Sequence, residues 1–199
     1  MKTKTLTLTP FLVALAAALA PALGHAADTP AVTRGVVGVV FTGGGDKLAG
    51  VQYESGSSQT IHAGGSAYFL AGVEFTPAAS PLTFLGTIGY HYDKTAASNG
   101  EVRFQRFPLE LLALVKPSTQ VRLGGGLRYD TDVKLTSSGA AANLGETSFK
   151  SAAGLVLQGE YLVTPAIGIT LRAVSIKYRT DGGSSYDGSH IGLGANLYF

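Results

Sequence analysis

Along most of the chain apolar residues stand at every second position, the period at which strand side chains fall on one face. The end of the chain shows it plainly. Ile191, Leu193, Ala195, Leu197 and Phe199 share one parity, and Gly192, Gly194, Asn196 and Tyr198 share the other. The alternation recurs in Ala153-Leu155-Leu157-Gly159-Tyr161-Val163, in Val121-Leu123-Gly125-Leu127-Tyr129 and in Leu82-Phe84-Gly86-Ile88-Tyr90-Tyr92. Eight such segments are predicted, over 34–43, 66–76, 82–94, 102–116, 120–134, 151–164, 167–180 and 189–199. Most reach the roughly 9–11 residues that a tilted strand needs to cross a bilayer. The seventh changes phase: Ile167, Ile169 and Leu171 share one parity, Val174, Ile176 and Tyr178 the other. A β-bulge near Ala173 would reconcile them.

The connections alternate in length. Three are tight and carry Pro, at 76–81, 116–119 and 164–166, where the missing N–H ends a ladder. Four are longer and polar, at 44–65, 95–101, 135–150 and 181–188, rich in Gly, Ser, Asn and Asp. Short turns at one end and long loops at the other predict an all-β, eight-stranded antiparallel up-and-down barrel that crosses a membrane. The aromatics separate by end. Phe75, Phe84, Tyr161 and Phe199 lie near the tight turns, and Phe41, Tyr90, Tyr92, Phe104, Tyr129 and Tyr178 toward the long loops. Two aromatic belts flanking an apolar band are the expected arrangement.

Composition fits. Hydrophobic residues make up 45% of the 199 residues and charged ones only 14%, and there is no Cys, which excludes disulfides and thiolate chemistry. Lys2 and Lys4, an apolar run from Phe11 to Leu23 and a small-residue close at Gly24-His25-Ala26 read as a signal peptide over 1–26, with the barrel over 27–199. The run is too short to span a bilayer as a helix. Removing 1–26 leaves 13 basic and 13 acidic residues, so a nucleic-acid partner has no electrostatic footing.

The closing residues Gly194-Ala195-Asn196-Leu197-Tyr198-Phe199, with the leader and the eight segments, resemble the small bacterial outer-membrane barrels, as in the OmpA transmembrane domain and the OmpX and OmpW families. The resemblance covers the architecture of the whole mature chain and names no narrower family. It implies a Gram-negative outer-membrane protein in contact with outer-membrane lipid; an even number of strands, with the short turns on the periplasmic side, puts both termini in the periplasm. It also implies that Gly194, Leu197 and Phe199 form a signal read by the barrel-assembly machinery. Two enzyme classes share this architecture, a lipid A deacylase and a lipid A palmitoyltransferase. The OmpW likeness suggests passage or binding of a small apolar solute.

If the apolar parity faces lipid, the other parity points inward and carries Glu74, Glu110, Glu160, Arg122, Arg128 and Arg172. Ion pairs are expected between them, because an unpartnered charge in a narrow lumen is costly. Arg172 is expected to pair with Glu160 or Glu110, with Glu160, on the neighbouring segment, preferred. Such pairs would plug the lumen and favour a structural or interaction role over transport.

Catalytic signals are sparse. The mature chain has His62, His91 and His190, but no His-x-Ser, Gly-x-Ser-x-Gly or His-Glu-x-x-His pattern. Ser189-His190 near Asp187 is the one constellation to examine, and His91 reads as a lumen filler. No metal or cofactor is expected, and Gly43-Gly44-Gly45 lacks the Gly-Lys-Ser/Thr that a phosphate loop requires. The 44–65 connection holds two β-prone runs around Glu54-Ser55-Gly56-Ser57-Ser58, between Gly43-Gly44-Gly45 and Gly64-Gly65. It reads as a protruding hairpin whose free edge could recruit an extracellular partner.

Overall fold

The computed structural model describes residues 30–52, 58–97, 100–139, 141–142 and 145–199. The leader over 1–26 and the hairpin tip at 53–57 lie outside them. Among the described residues the strands are β1 (Val32–Gly44), β2 (Lys47–Gln52), β3 (Ser58–His62), β4 (Ser66–Thr76), β5 (Leu82–Ala97), β6 (Gly100–Val115), β7 (Val121–Gly139), β8 (Thr147–Phe149), β9 (Ala152–Thr164), β10 (Ile167–Arg179), β11 (Ser185–Asp187) and β12 (His190–Tyr198).

Eight of these, β1, β4, β5, β6, β7, β9, β10 and β12, pair antiparallel in that order, and β12 pairs back onto β1. The sheet is therefore a closed barrel with no free edge along these walls. At the seam Val36 faces Tyr198, and Gly35 and Phe199 exchange backbone hydrogen bonds of 2.7 and 3.0 Å. The turn residues act as their chemistry requires. Ser118 Oγ accepts the N–H of Val121 (3.1 Å), and Thr164 Oγ1 accepts those of Ala166 and Ile167 (3.2 and 3.0 Å).

The four smaller strands build onto the opposite end. β2 and β3 form the hairpin read from the sequence. β8 extends β7, and β11 extends β10. Two of the long connections are shorter than expected, because β5 and β6 run on to Ala97 and from Gly100, and β7 continues to Gly139.

The bulge lies elsewhere. β10 is buried and exposed at strictly alternate positions through Ala173, and its pairing with β9 is regular from Gly168 to Ile176. Val174, Ile176 and Tyr178 therefore point inward: the phase change in the sequence reflects an apolar patch inside the barrel and needs no extra residue. The bulge falls on β7 instead. Gln105 pairs with Lys134 and Phe107 with Thr131, so Arg106 faces two residues, and Asp132 there has φ 47°. Next to it Pro108 lies inside the barrel wall without an N–H to give to the ladder. The extra residue flips the parity of β7, so Asp130 below it and Val133 above it both face inward.

Outside, the apolar parity is bare. Leu127 is 64% exposed and Leu171 62%, with Ile88, Leu111, Leu155, Leu157, Ile191 and Leu193 alongside. So broad an apolar band on a folded surface matches a hydrocarbon solvent, not water.

Candidate functional site

The interior is built in layers by inward-facing strand positions. At the tight-turn end, the Arg122 guanidinium on β7 lies between Glu160 on β9 and Glu74 on β4 and is bonded to both. Arg34 Nη2 on β1 reaches the other oxygen of Glu74 at 2.6 Å. Tyr198 donates its hydroxyl proton to Glu160 (2.8 Å), and Asn196 Nδ2 donates to the same carboxylate (3.0 Å). The guanidiniums of Arg34 and Arg122 lie 4.7 and 4.5 Å from the centre of the Tyr198 ring.

The middle layer centres on Glu110. Arg172 Nη2 approaches one of its oxygens at 2.6 Å, and Arg128 Nη1 the other at 3.0 Å. The Tyr68 ring lies beneath both guanidiniums, at 5.1 and 5.3 Å. The preferred Arg172–Glu160 pair does not form. Glu160 stands beside Thr170, two residues below Arg172, and is already held by Arg122, Asn196 and Tyr198.

Above it Asp130 accepts from Arg128 Nε (2.7 Å) and from the Tyr178 hydroxyl (2.6 Å), with Arg106 Nε 3.8 Å away. His91 is fully buried, and its two ring nitrogens meet different partners. Arg128 Nη2 lies 3.0 Å from Nδ1, while Thr42 Oγ1 and Arg106 Nη2 both lie 2.9 Å from Nε2. A neutral imidazole has one acceptor nitrogen. Either neutral tautomer therefore accepts from one guanidinium and sets its ring N–H against the other: with Nδ1 accepting from Arg128, Nε2–H donates to Thr42 and the Arg106 Nη2 bond goes to the Gly65 carbonyl at 3.4 Å.

All six interior charges read from the sequence are buried in these layers. Four further interior charges escaped the sequence reading: Arg34, Arg106 and Asp130 in the ion-pair layers, and Asp93 at the mouth. Each of the last three shares the parity of a residue already marked inward on its strand, Glu110, Arg128 or His91. With them the interior holds, among the described residues, five guanidiniums and five carboxylates, a balanced set.

The long-loop end of the interior is apolar. Val102, Phe104, Val133, Phe149, Val174, Ile176 and Tyr178 pack there with Ile61 and Ala63 from the first long connection. Phe104 and Tyr178 are thus interior residues. They do not belong to the outer aromatic belt, because they share the parity of Arg106 and Arg172. Phe41, Phe75, Phe84, Tyr129, Tyr161 and Phe199 do face outward, and Tyr90 and Tyr92 stack on the outer wall with Phe69 and Phe107. The base of the hairpin bends in over the mouth, where Gly44 (φ 133°) and Gly45 (φ 77°) make the bend and the His62 N–H bonds to Asp93 at 2.8 Å. A Cβ on Gly45 would lie 2.6 Å from the Gly64 nitrogen.

No protein-family model matches the chain, and no curated protein is significantly similar to it in sequence. Solved structures do match. Ail, the attachment invasion locus protein of Yersinia pestis, crystallised in complex with the heparin analogue sucrose octasulfate, superposes with a TM-score of 0.54 at 12% identity. The match covers 86% of this chain and 100% of that one. Neisserial surface protein A (NspA) matches with a TM-score of 0.53 at 10% identity, over 86% and 100%. The chain has the fold of the small eight-stranded outer-membrane β-barrels.

In this barrel the catalytic candidates separate. Ser189 and His190 are consecutive strand-end residues and diverge. Ser189 Oγ accepts the Ile176 N–H at 3.4 Å, while the buried His190 has Nδ1 2.7 Å from the Gly188 carbonyl oxygen. Asp187 accepts the Ser189 N–H at 2.9 Å, and the bonds from Ser189 lower its carboxyl pKa below the ordinary carboxylate range. The Asp187 backbone joins the first and last long connections: its carbonyl accepts the Asp46 N–H and its N–H donates to the Asp46 carboxylate, both at 2.7 Å. His62 lies in the hairpin base, with Nδ1 3.3 Å from the Gly45 carbonyl oxygen. Among the described residues no group of three or more His, Asp or Glu could hold a metal ion.

Proposed function

We propose that this protein is an integral outer-membrane barrel of a Gram-negative envelope with a structural or interaction role. Its lumen is closed by ion pairs, and both termini lie in the periplasm. The observation that carries the reading is the layered interior: among the described residues, five guanidiniums and the carboxylates of Glu74, Glu110, Glu160 and Asp130 lie in contact beneath an apolar cap. Buried pairs of this kind rigidify a wall and are expensive to open. A route for a small apolar solute needs a wide dry lumen, and an enzyme needs a converging set of reactive groups, so neither is the better fit. Gly194, Leu197 and Phe199 present the closing strand to the assembly machinery. The 44–65 connection offers an exposed hairpin to an extracellular partner.

Surface labelling tests the orientation. Cysteine introduced between Ala97 and Gly100, or at 182–184, should react with a membrane-impermeant maleimide on intact cells, and cysteine introduced at 117–119 only after the outer membrane is opened. The reverse pattern would overturn the orientation, and extraction of the protein from membranes by urea would overturn membrane integration.

A further inference from the structure

The β9–β10 ladder is interrupted on the outer wall. It is regular up to Gly154 opposite Ile176, and the next contact is the Lys150 N–H to the Arg179 carbonyl at 2.8 Å. Residues 151–153 therefore face only 177–178, and the wall opens into a cleft of about 480 Å³. Its floor is Ala152 and Ile176, and its rim carries Lys150, Lys177 and Arg179. The cleft sits where the outer face changes character. Below it Leu155, Leu157 and Leu171 are bare apolar residues, and at it Ser151, Ser175, Lys177 and Arg179 replace them.

We propose that this cleft holds the phosphate monoester of a lipid anchored in the outer leaflet, with the acyl chains lying along the apolar wall beneath. This rests on the membrane reading above. Three cations converge on one opening, and the acids near them are weak competitors. Lys150 has Asp181 at 3.8 Å, with side-chain exposures of 62% and 87%, a pair worth little in water. Lys177 stands opposite Asp187 in the β10–β11 pairing, and that carboxylate is engaged by Ser189. Among the described residues Arg179 has no ion pair within 4.0 Å. A phosphate monoester carries about −1.5 to −2 charges and three acceptor oxygens, which suits one guanidinium and two ammoniums. The contrast lies near the ends of β5 and β6, where Lys94 and Arg103 are both bonded to Glu101 at 2.8 and 2.7 Å and leave no free cation pair.

The test uses the folded barrel in maltoside micelles, which contain no phosphate, with dioleoyl phosphatidic acid as probe and native mass spectrometry as readout. The wild type should retain the lipid, and K150S/K177S/R179S should bind it at least tenfold more weakly, while K94S/R103S binds as the wild type does. Dioleoylglycerol, which has the same chains without phosphate, should not be retained. Heat-shifted migration in SDS gels confirms that each variant is folded. Equal retention by the wild type and the triple variant would overturn the site. Displacement of the lipid by inorganic phosphate at equal concentration would overturn the lipid as the source of the phosphate. A wild-type protein that stays dispersed without detergent would instead defeat the membrane reading on which the proposal rests.

Discussion

Arg172 on β10 reaches across the lumen to Glu110 on β6, with Nη2 2.6 Å from Oε2, and leaves the carboxylate of the adjoining strand, Glu160, to Arg122. Height decides these pairings: Arg34–Glu74, Arg128–Glu110 and Arg122–Glu160 stand directly opposite each other on neighbouring strands, whereas Arg172 finds its partner at the same level across the lumen. Glu160 is two residues too low for Arg172, and Glu110 already carries Arg128 on its other oxygen.

A double-mutant cycle checks this pairing. R172M leaves Glu110 with one guanidinium fewer and should cost about 3–5 kcal/mol in urea titrations of detergent-folded protein. R172M with E110Q should cost less than the sum of the two single changes, because the orphaned charge is gone. R172M with E160Q should be close to additive. Coupling of Arg172 to Glu160 instead of Glu110 would contradict the layering.

The barrel was legible from the sequence because a period of two over eight segments, with alternating turn lengths, leaves few other ways to bury one face of each strand. The interior charges were legible for the same reason, by parity. Three things were not. Parity fixes the face but not the height, so the partner of Arg172 could not be chosen. The parity slip at Asp132 is marked by no Gly, while the apolar run Val174-Ile176-Tyr178 mimics a slip where none exists. Nor does strand alternation reveal that a loop folds inward: Ile61 and Ala63 read as hairpin residues and are core residues, because Gly44 and Gly45 turn the hairpin base over the mouth.

Phe199 separates assembly from stability. It is 73% exposed, its ring lies over Gly35, and its backbone closes the seam. F199A keeps the backbone bonds and should lose at most about 2 kcal/mol on refolding in detergent. Its yield in the outer membrane of cells should fall far more, as expected of an assembly signal. Equal losses in both settings would make Phe199 a stability residue only.

The turn that the Asp187 carboxylate holds with Ser189 should loosen in acid. The carboxyl pKa is lowered in the folded protein by the hydroxyl and N–H of Ser189, so its contribution is fully present above the ordinary value of 3.8 and is lost as pH falls through the lowered one. Protection of the 181–190 amides, taken against their intrinsic exchange rate at each pH, should therefore fall as pH drops below the ordinary carboxyl value of 3.8 and stay flat from pH 5 to 7. D187N should show the lower protection throughout. A wild-type protection profile that does not change down to pH 2.5 would remove the Asp187 carboxylate as the group that holds this turn.

Conductance across planar lipid bilayers addresses the closed interior itself. With the Arg34–Glu74–Arg122–Glu160 layer and the Glu110–Arg128–Arg172 layer both in place, the inserted wild-type barrel should show no stepwise current in 1 M KCl at 100 mV, while its insertion is confirmed by protection of the barrel from protease. Sustained, uniform channel openings by the wild-type protein under those conditions would contradict a lumen closed by ion pairs.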